Sequence, residues 1–262
     1  MDLSIITVTW NSSKHIAEQI RSVISACGGI SFEQIVVDNG SSDDTVETVK
    51  KFPSVQLIQN KKNQGFSFAN NQAATIAQGE FFLFLNADMR LEQGSIKKWI
   101  EWMKARPAVG ISGCRLLTEY GKLNFNATPR RFPTWFDQLM VILKLPHLFP
   151  SFLNTYLYRD KDFNQEQAVD SVRGSCMLVR REFIQKLGYT FDPRYFVWFE
   201  DVDVCREAKR LGYTVMYTPI VSAVDAVGSS FKKRNIVWKQ YQLIRSMFTY
   251  FWKWRSQTTL SS

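Results

Sequence analysis

The chain is poor in the residues from which soft-metal and redox sites are built. It has two histidines, His15 and His147, and four cysteines, Cys27, Cys114, Cys176 and Cys205, in 262 residues and with no CxxC. This argues against a zinc site of Cys and His ligands. The thiols read as reduced and mostly buried in a cytosolic protein. No GxGxxG and no GxxxxGK[ST] follows a strand-like run, which disfavours a Rossmann dehydrogenase and a P-loop enzyme. No stretch offers ~18 uncharged apolar residues, so no transmembrane helix is expected. The first residues, "MDLSIITVTWN", begin a strand with neither a basic n-region nor a long apolar h-region, so no signal peptide is expected. Internal repeats and low-complexity segments are absent as well.

What remains is an ordinary globular composition, 45% hydrophobic and 22% charged. A chain of this length can bury a large core without disulfides. Its net charge of +9 is unevenly placed. Residues 231–262 carry Lys232, Lys233, Arg234, Lys239, Arg245, Lys253 and Arg255 and no acid, leaving +2 for the first 230 residues. Basicity is a property of one segment, which argues against a nucleic-acid-binding body.

Along the chain, apolar β-rich runs alternate with helical spacing. "LSIITVT" (3–9), "QIVVD" (34–38), "VQLIQN" (55–60), the run at 80–85 and "VGISGC" (109–114) read as strands. Helices are predicted over about 14–27, after Ser42 or Asp43, over 66–78 and over 93–105. This order implies an α/β fold with a mostly parallel sheet covered on both faces. Ligands bind such sheets beyond the carboxyl ends of the strands. Polar clusters stand there: Thr9-Trp10-Asn11, Asp38-Asn39 and Asn86-Ala87-Asp88. The middle, 121–168, is irregular, with one apolar helix predicted over 133–145. A loop then leads into an acidic helix start at Glu200, a helix to Leu211 and a strand.

Several segments, in order, match one family. They are "IITVTWNS" (5–12), "IVVDNGSSDDT" (35–45), "NKKNQGFSFANNQA" (60–73), "FLNADMRL" (84–91), the long block from Val172 to Val215, and "GSSFKK" (228–233). The chain resembles the family 2 glycosyltransferases, in particular the bacterial rhamnosyltransferase-like branch. The resemblance implies a GT-A fold over residues 1–230, with a nucleotide-sugar half over about 1–110 and an acceptor half over about 111–230. A basic aromatic helical tail, 231–262, would follow. It also implies inverting transfer from a nucleotide-diphospho-sugar of the dTDP or UDP type, dTDP-rhamnose being the expected donor. A lipid-linked saccharide of bacterial envelope polysaccharide is the expected acceptor.

The resemblance assigns roles residue by residue. Asp88 takes the place of the second acid of a DxD motif and would ligate Mg2+ or Mn2+ bridging the donor's phosphates; Asn86 takes the first. Read without the family, the same pair is a turn capping the next helix. Asp201 would be the general base and Glu200 would orient it or the acceptor. Three acids in "EDVD" raise one another's pKa if buried together, although acids at a helix start also have a purely structural rationale. Asp203 reads as a structural partner of Arg206 or Arg173. Asp38 would accept from a uracil or thymine imide, its alternative being an Asx-turn. Thr9, Asn11, Asn63 and Gly65 would line the nucleotide pocket. Arg173, Gly174 and Trp198 would support the acceptor or the site, glycine allowing close backbone approach.

One departure stands out. The family carries a metal-binding histidine just before "G-x-S", whereas "SAVDAVGSS" (222–230) has none and offers Asp225. Asp225 is either a surface polar residue or a replacement ligand, and replacement is the expectation. In the tail, Val237, Tyr241, Ile244, Phe248 and Phe251 recur at helical spacing among basic residues and tryptophans. This predicts an amphipathic helix on an anionic membrane, and hence a peripheral protein on the cytoplasmic face of the inner membrane. The alternative packs the apolar stripe on the domain and leaves the charges in solvent. A monomer or homodimer is expected.

Overall fold

The computed structural model describes residues 1–125, 127, 129–143, 154–226 and 235–256. The "GSSFKK" element, His147, Lys232, Lys233, Arg234 and the end of the helix predicted over 133–145 lie outside the described residues.

Among the described residues nine strands form one sheet in the order β3-β2-β1-β4-β8-β6-β9-β5, with β7 on β9. They are β1 (Leu3–Thr9), β2 (Phe32–Asp38), β3 (Val55–Gln59), β4 (Phe81–Leu85), β5 (Met89–Leu91), β6 (Val109–Thr118), β7 (Gln167–Ala168), β8 (Cys176–Arg180) and β9 (Thr214–Asp225). The first half, β3-β2-β1-β4, is parallel as the strand–helix alternation predicts, and β6 pairs β9 in parallel. Between them β8 runs antiparallel to both β4 and β6, so the sheet is mixed.

All five residues of β4 are buried, because both faces of the sheet are covered. Its side chains alternate between two cores, as strand geometry requires. Phe81, Leu83 and Leu85 join Leu3, Ile5, Trp99 and Met103 on one face. Phe82 and Phe84 join Ile6, Ile35, Ala69, Ala73 and Phe183 on the other. Helices α1 (Ile16–Ala26) and α4 (Ser95–Lys104) cover the first face. Helices α3 (Phe66–Ala74), α6 (Arg181–Leu187) and α7 (Glu200–Arg210) cover the second. The short α2 (Thr45–Val49) follows β2, and α5 (Trp135–Ile142) stands in the irregular middle behind a Thr134/Asp137 capping box.

The tail forms α8 (Ile236–Trp254), with Asn235 as N-cap accepting from the Val237 amide. The apolar stripe foreseen for it is divided between the domain and the surface. Met247, Tyr250, Phe251 and Trp254 pack against Tyr195, Phe199 and Val202. Phe251 therefore leaves the outward stripe, while Val237, Tyr241 and Phe248 stay exposed. Lys253, expected in solvent or at headgroups, is drawn inside: its Nζ lies 2.6 Å from Asp203, 2.8 Å from Glu207 and 3.1 Å from Asp192. No helix among the described residues is long and apolar enough to cross a membrane.

Candidate active site

The parallel half of the sheet delivers three strand ends to one rim, and a cleft of about 360 Å³ opens there. That volume lies in the range of small-molecule sites. Thr9, Asn63, Asn86, Asp88, Arg173, Gly174, Trp198, Glu200, Asp201 and Asp225 all line it. Asn11, Asp38, Gly65 and Asp203 do not.

The floor is the turn after β4. The chain reverses through Asn86-Ala87-Asp88, closed by the Met89 amide donating to the Asn86 carbonyl at 3.1 Å. The Asn86 amide ties this turn to the Ser175 carbonyl at 2.9 Å. β5 then pairs antiparallel with the end of β9, Met89 opposite Asp225. The Ala226 amide donates to the Asp88 carbonyl at 3.1 Å. Two carboxylates 137 residues apart in sequence are thus placed on neighbouring strand ends of one cleft. Asn124 donates to Asp225 Oδ2 at 3.2 Å and orients it. Asp88 and Asp225 make a hard-oxygen donor set suited to Mg2+ or Mn2+. Among the described residues no group of three or more His, Cys, Asp or Glu converges on a metal position. Such a cation would therefore need further oxygen ligands from a phosphate or water, the usual arrangement for Mg2+.

The opposite wall is the start of α7. Trp198 and Phe199 both adopt left-handed backbone conformations, with φ of 67° and 69°. For non-glycine residues this costs about 1–3 kcal/mol each and is found where a site needs it. The turn presents Glu200 and Asp201 to the cleft from the first helical residues. Asp201 is held on both oxygens: Oδ1 accepts from the Val202 amide at 2.9 Å, and Oδ2 from Arg130 at 2.9 Å and the Gly174 amide at 3.3 Å. A Cβ on Gly174 would stand 3.1 Å from the Asp201 Cβ, a tight approach to the carboxylate's own stem.

Glu200 is different. Its Oε2 is buried and has no hydrogen-bond partner among the described residues. Burial, and then the charge of Asp201, push its pKa up to about 8. The neighbouring arginines shape the same field. Arg173, beside Arg130 and desolvated, has its pKa lowered to about 10. Burial works against the Arg130 cation, but Tyr156 and Asp201 outweigh it and its pKa is raised.

Other expectations resolve differently. Asp38 is only 2% exposed. It accepts from Thr9 Oγ1 at 3.0 Å and from the Ser41 amide at 2.9 Å. Asp38 thus closes the turn that follows β2, and its neighbour Asn39 reaches the cleft. Asn11, with φ of 52°, accepts from the Ser42 amide at 2.8 Å and pins the same turn. Gly65 is required by Phe196: a Cβ would come within 2.7 Å of the Phe196 carbonyl oxygen. Asn63 accepts from the Gly65 amide at 3.0 Å and from Asn39 at 3.2 Å.

Asp203 faces away from the cleft. Its partners are Lys253, Trp254 Nε1 at 2.8 Å and the Tyr195 hydroxyl at 3.2 Å, not Arg206 or Arg173. Arg206 donates instead to the Tyr250 hydroxyl at 3.0 Å.

The family model for glycosyl transferase family 2 matches residues 4–188. The chain belongs to that family. It is 28% identical over 232 residues to the N-acetylglucosaminyl-diphospho-decaprenol L-rhamnosyltransferase of Mycobacterium tuberculosis, covering 83% of this chain and 73% of that one. It is 26% identical over 168 residues to the rhamnosyltransferase WbbL of Escherichia coli, covering 61% of this chain and 60% of that one. A solved mannosyltransferase from Pyrobaculum calidifontis, in complex with GDP-Man and Mn2+, superposes with a TM-score of 0.64 at 21% identity over 96% of this chain and 63% of that one. That likeness is one of fold, the GT-A fold. This glycosyltransferase is therefore rhamnosyltransferase-like in sequence and GT-A in architecture.

Proposed function

We propose that this glycosyltransferase moves a sugar, rhamnose from dTDP-rhamnose, with inversion onto a lipid-linked glycan of a bacterial envelope polysaccharide. The single observation that carries the reading is that one cleft holds Asp88 and Asp225 on its sheet side and Asp201 and Glu200 on its helix side. One pair suits a diphosphate, the other an attacking hydroxyl.

The reaction is a displacement. The acceptor oxygen forms a bond to the anomeric carbon as the bond from that carbon to the diphosphate oxygen breaks. The electron pair leaves with the nucleoside diphosphate, and the acceptor proton passes to Asp201. Arg130 and the Gly174 amide fix the Asp201 carboxylate, so its geometry is set before the acceptor arrives. Glu200, kept neutral by burial, is a hydrogen-bond donor to an acceptor or sugar oxygen. Asp88 and Asp225 would hold a Mg2+ or Mn2+, which supplies charge neutralisation for the departing diphosphate. Arg173 adds a fixed positive charge to the same cleft. The nucleotide base would lie by Thr9, Asn39 and Asn63, next to the turn that Asp38 closes. A lipid-linked acceptor places the protein at the cytoplasmic face of the inner membrane.

A donor screen tests the reading. Purified protein, metal and candidate lipid-linked acceptors are combined with dTDP-rhamnose, UDP-hexoses and UDP-N-acetylhexosamines, and products are read by mass spectrometry. Transfer from dTDP-rhamnose is expected. Transfer from a UDP-sugar alone, with UDP and not dTDP binding, overturns the donor assignment.

A further inference from the structure

A surface helix ordinarily turns its polar face outward, whereas α8 turns an apolar arc outward as well as inward. Tyr241, Phe248 and Trp252 lie on its outward arc and are 61%, 57% and 69% exposed. Beside it, α5 turns out Trp135, Phe136 and Leu139, at 51%, 59% and 50%. The two helices meet through Trp135, which stacks on Phe251 at 4.0 Å and meets Phe248 edge-on at 5.6 Å. The apolar surface is therefore continuous across both helices, and a patch of this kind marks an interaction surface.

We infer that α5 and α8 together form a lipid-facing platform that seats the protein on an anionic bilayer with the mouth of the cleft at headgroup level. The inference extends the lipid-linked acceptor proposed above, and rests on that reading for its purpose.

Charge decides the occupant. Arg245 on α8 and Arg255 just past its end are exposed, and residues 231–262 contain no acid. The acid of α5, Asp137, is occupied in the capping box with Thr134. A second copy of the same face would bring like charges together, whereas anionic lipid complements them. Tyrosine and tryptophan suit the headgroup level. Position gives the platform its use. Trp238, in the first turn of α8, lines the cleft and packs edge-on against Phe196 at 5.7 Å. The same helix thus forms part of the cleft wall and part of the platform.

The test uses the purified full chain and vesicles of phosphatidylcholine with and without phosphatidylglycerol, read by flotation. The protein is expected to float with the anionic vesicles and to be released by salt. Phe248→Glu with Trp252→Glu is expected to weaken vesicle binding roughly tenfold or more while circular dichroism shows the protein still folded. In the unsubstituted protein, brominated lipid is expected to quench tryptophan fluorescence, a readout independent of any variant. Failure to float or be quenched at low salt overturns the platform. So does a dimer, seen by light scattering, that the double substitution breaks while vesicles never bind. Nucleotide titration is separate: vesicle binding without nucleotide binding sinks the transferase reading alone, and the converse sinks the platform alone.

Discussion

Lys253 Nζ, on the tail helix, lies 2.6 Å from Asp203 Oδ2, on the helix that presents Glu200 and Asp201. The Asp203 side chain is fully buried and that of Lys253 is 13% exposed. Asp192 and Glu207 have Arg194 and Arg210 as further partners, so Lys253 is the cation on which Asp203 depends. The tail is therefore fastened to the catalytic helix by an interior ion pair as well as by apolar packing.

Removing that cation leaves a buried carboxylate facing only Trp254 and Tyr195. Lys253→Met is expected to cost about 3–5 kcal/mol of stability. Burial raises the Asp203 pKa, with Lys253 opposing, so loss of Lys253 raises it further. A raised folded-state carboxyl gives stability that is fully present at acid pH and is lost as pH rises past the ordinary carboxylate value. The variant should approach the parent protein near pH 4 and fall furthest behind at neutral pH. Melts across that range check this; equal losses at all pH values would refute it.

Glu200 carries a different pH signature. Its pKa of about 8 keeps it protonated at neutrality, and it ionises above that. Activity should fall on an alkaline limb near pH 8. Glu200→Gln, which stays a neutral donor, should remove that limb and keep most of the activity at pH 7, whereas Glu200→Ala should lose it. A pH profile of kcat/KM decides the matter, and an unchanged limb in the glutamine variant removes the assignment.

Asp225 lines the cleft with Asp88, and its oxygen suits a hard cation. Chelation by EDTA should abolish transfer, and Mg2+ or Mn2+ should restore it. Asp225→Ala should raise the metal concentration needed for half-maximal rate by about 10–100-fold. Asp225→His should retain activity while shifting preference away from Mg2+, because imidazole favours softer ions. Metal titrations of the rate measure all three. Full activity after chelation would contradict the role.

Some of this was legible in the sequence because the signals are local. An uninterrupted apolar run, "FFLFL", reads as a strand covered on both faces, and an acid just past its end falls at the ligand-binding rim. The motif order placed Asp225, Glu200 and Asp201 in the same cleft as Asp88. Other features are products of long-range packing. Arg130 reaches Asp201 across 71 residues from an irregular stretch, and no spacing announces it. Lys253 looks like one of seven solvated charges until its partners, 50 and 61 residues upstream, are seen. The direction of β8, antiparallel to both β4 and β6, is likewise invisible in its composition. Gly65 was read as lining the nucleotide pocket and Gly174 as allowing close backbone approach, and the atoms nearest a side chain at these positions belong to Phe196 and Asp201.

The most direct test of the central claim is the transfer rate of Asp201→Asn with whichever donor the parent protein accepts. Circular dichroism and donor binding would be measured alongside, because Arg130 loses its charged partner in this variant. The account predicts folded protein that binds donor and transfers at least about a hundredfold more slowly, the loss of a general base. Transfer at the parent rate would contradict it.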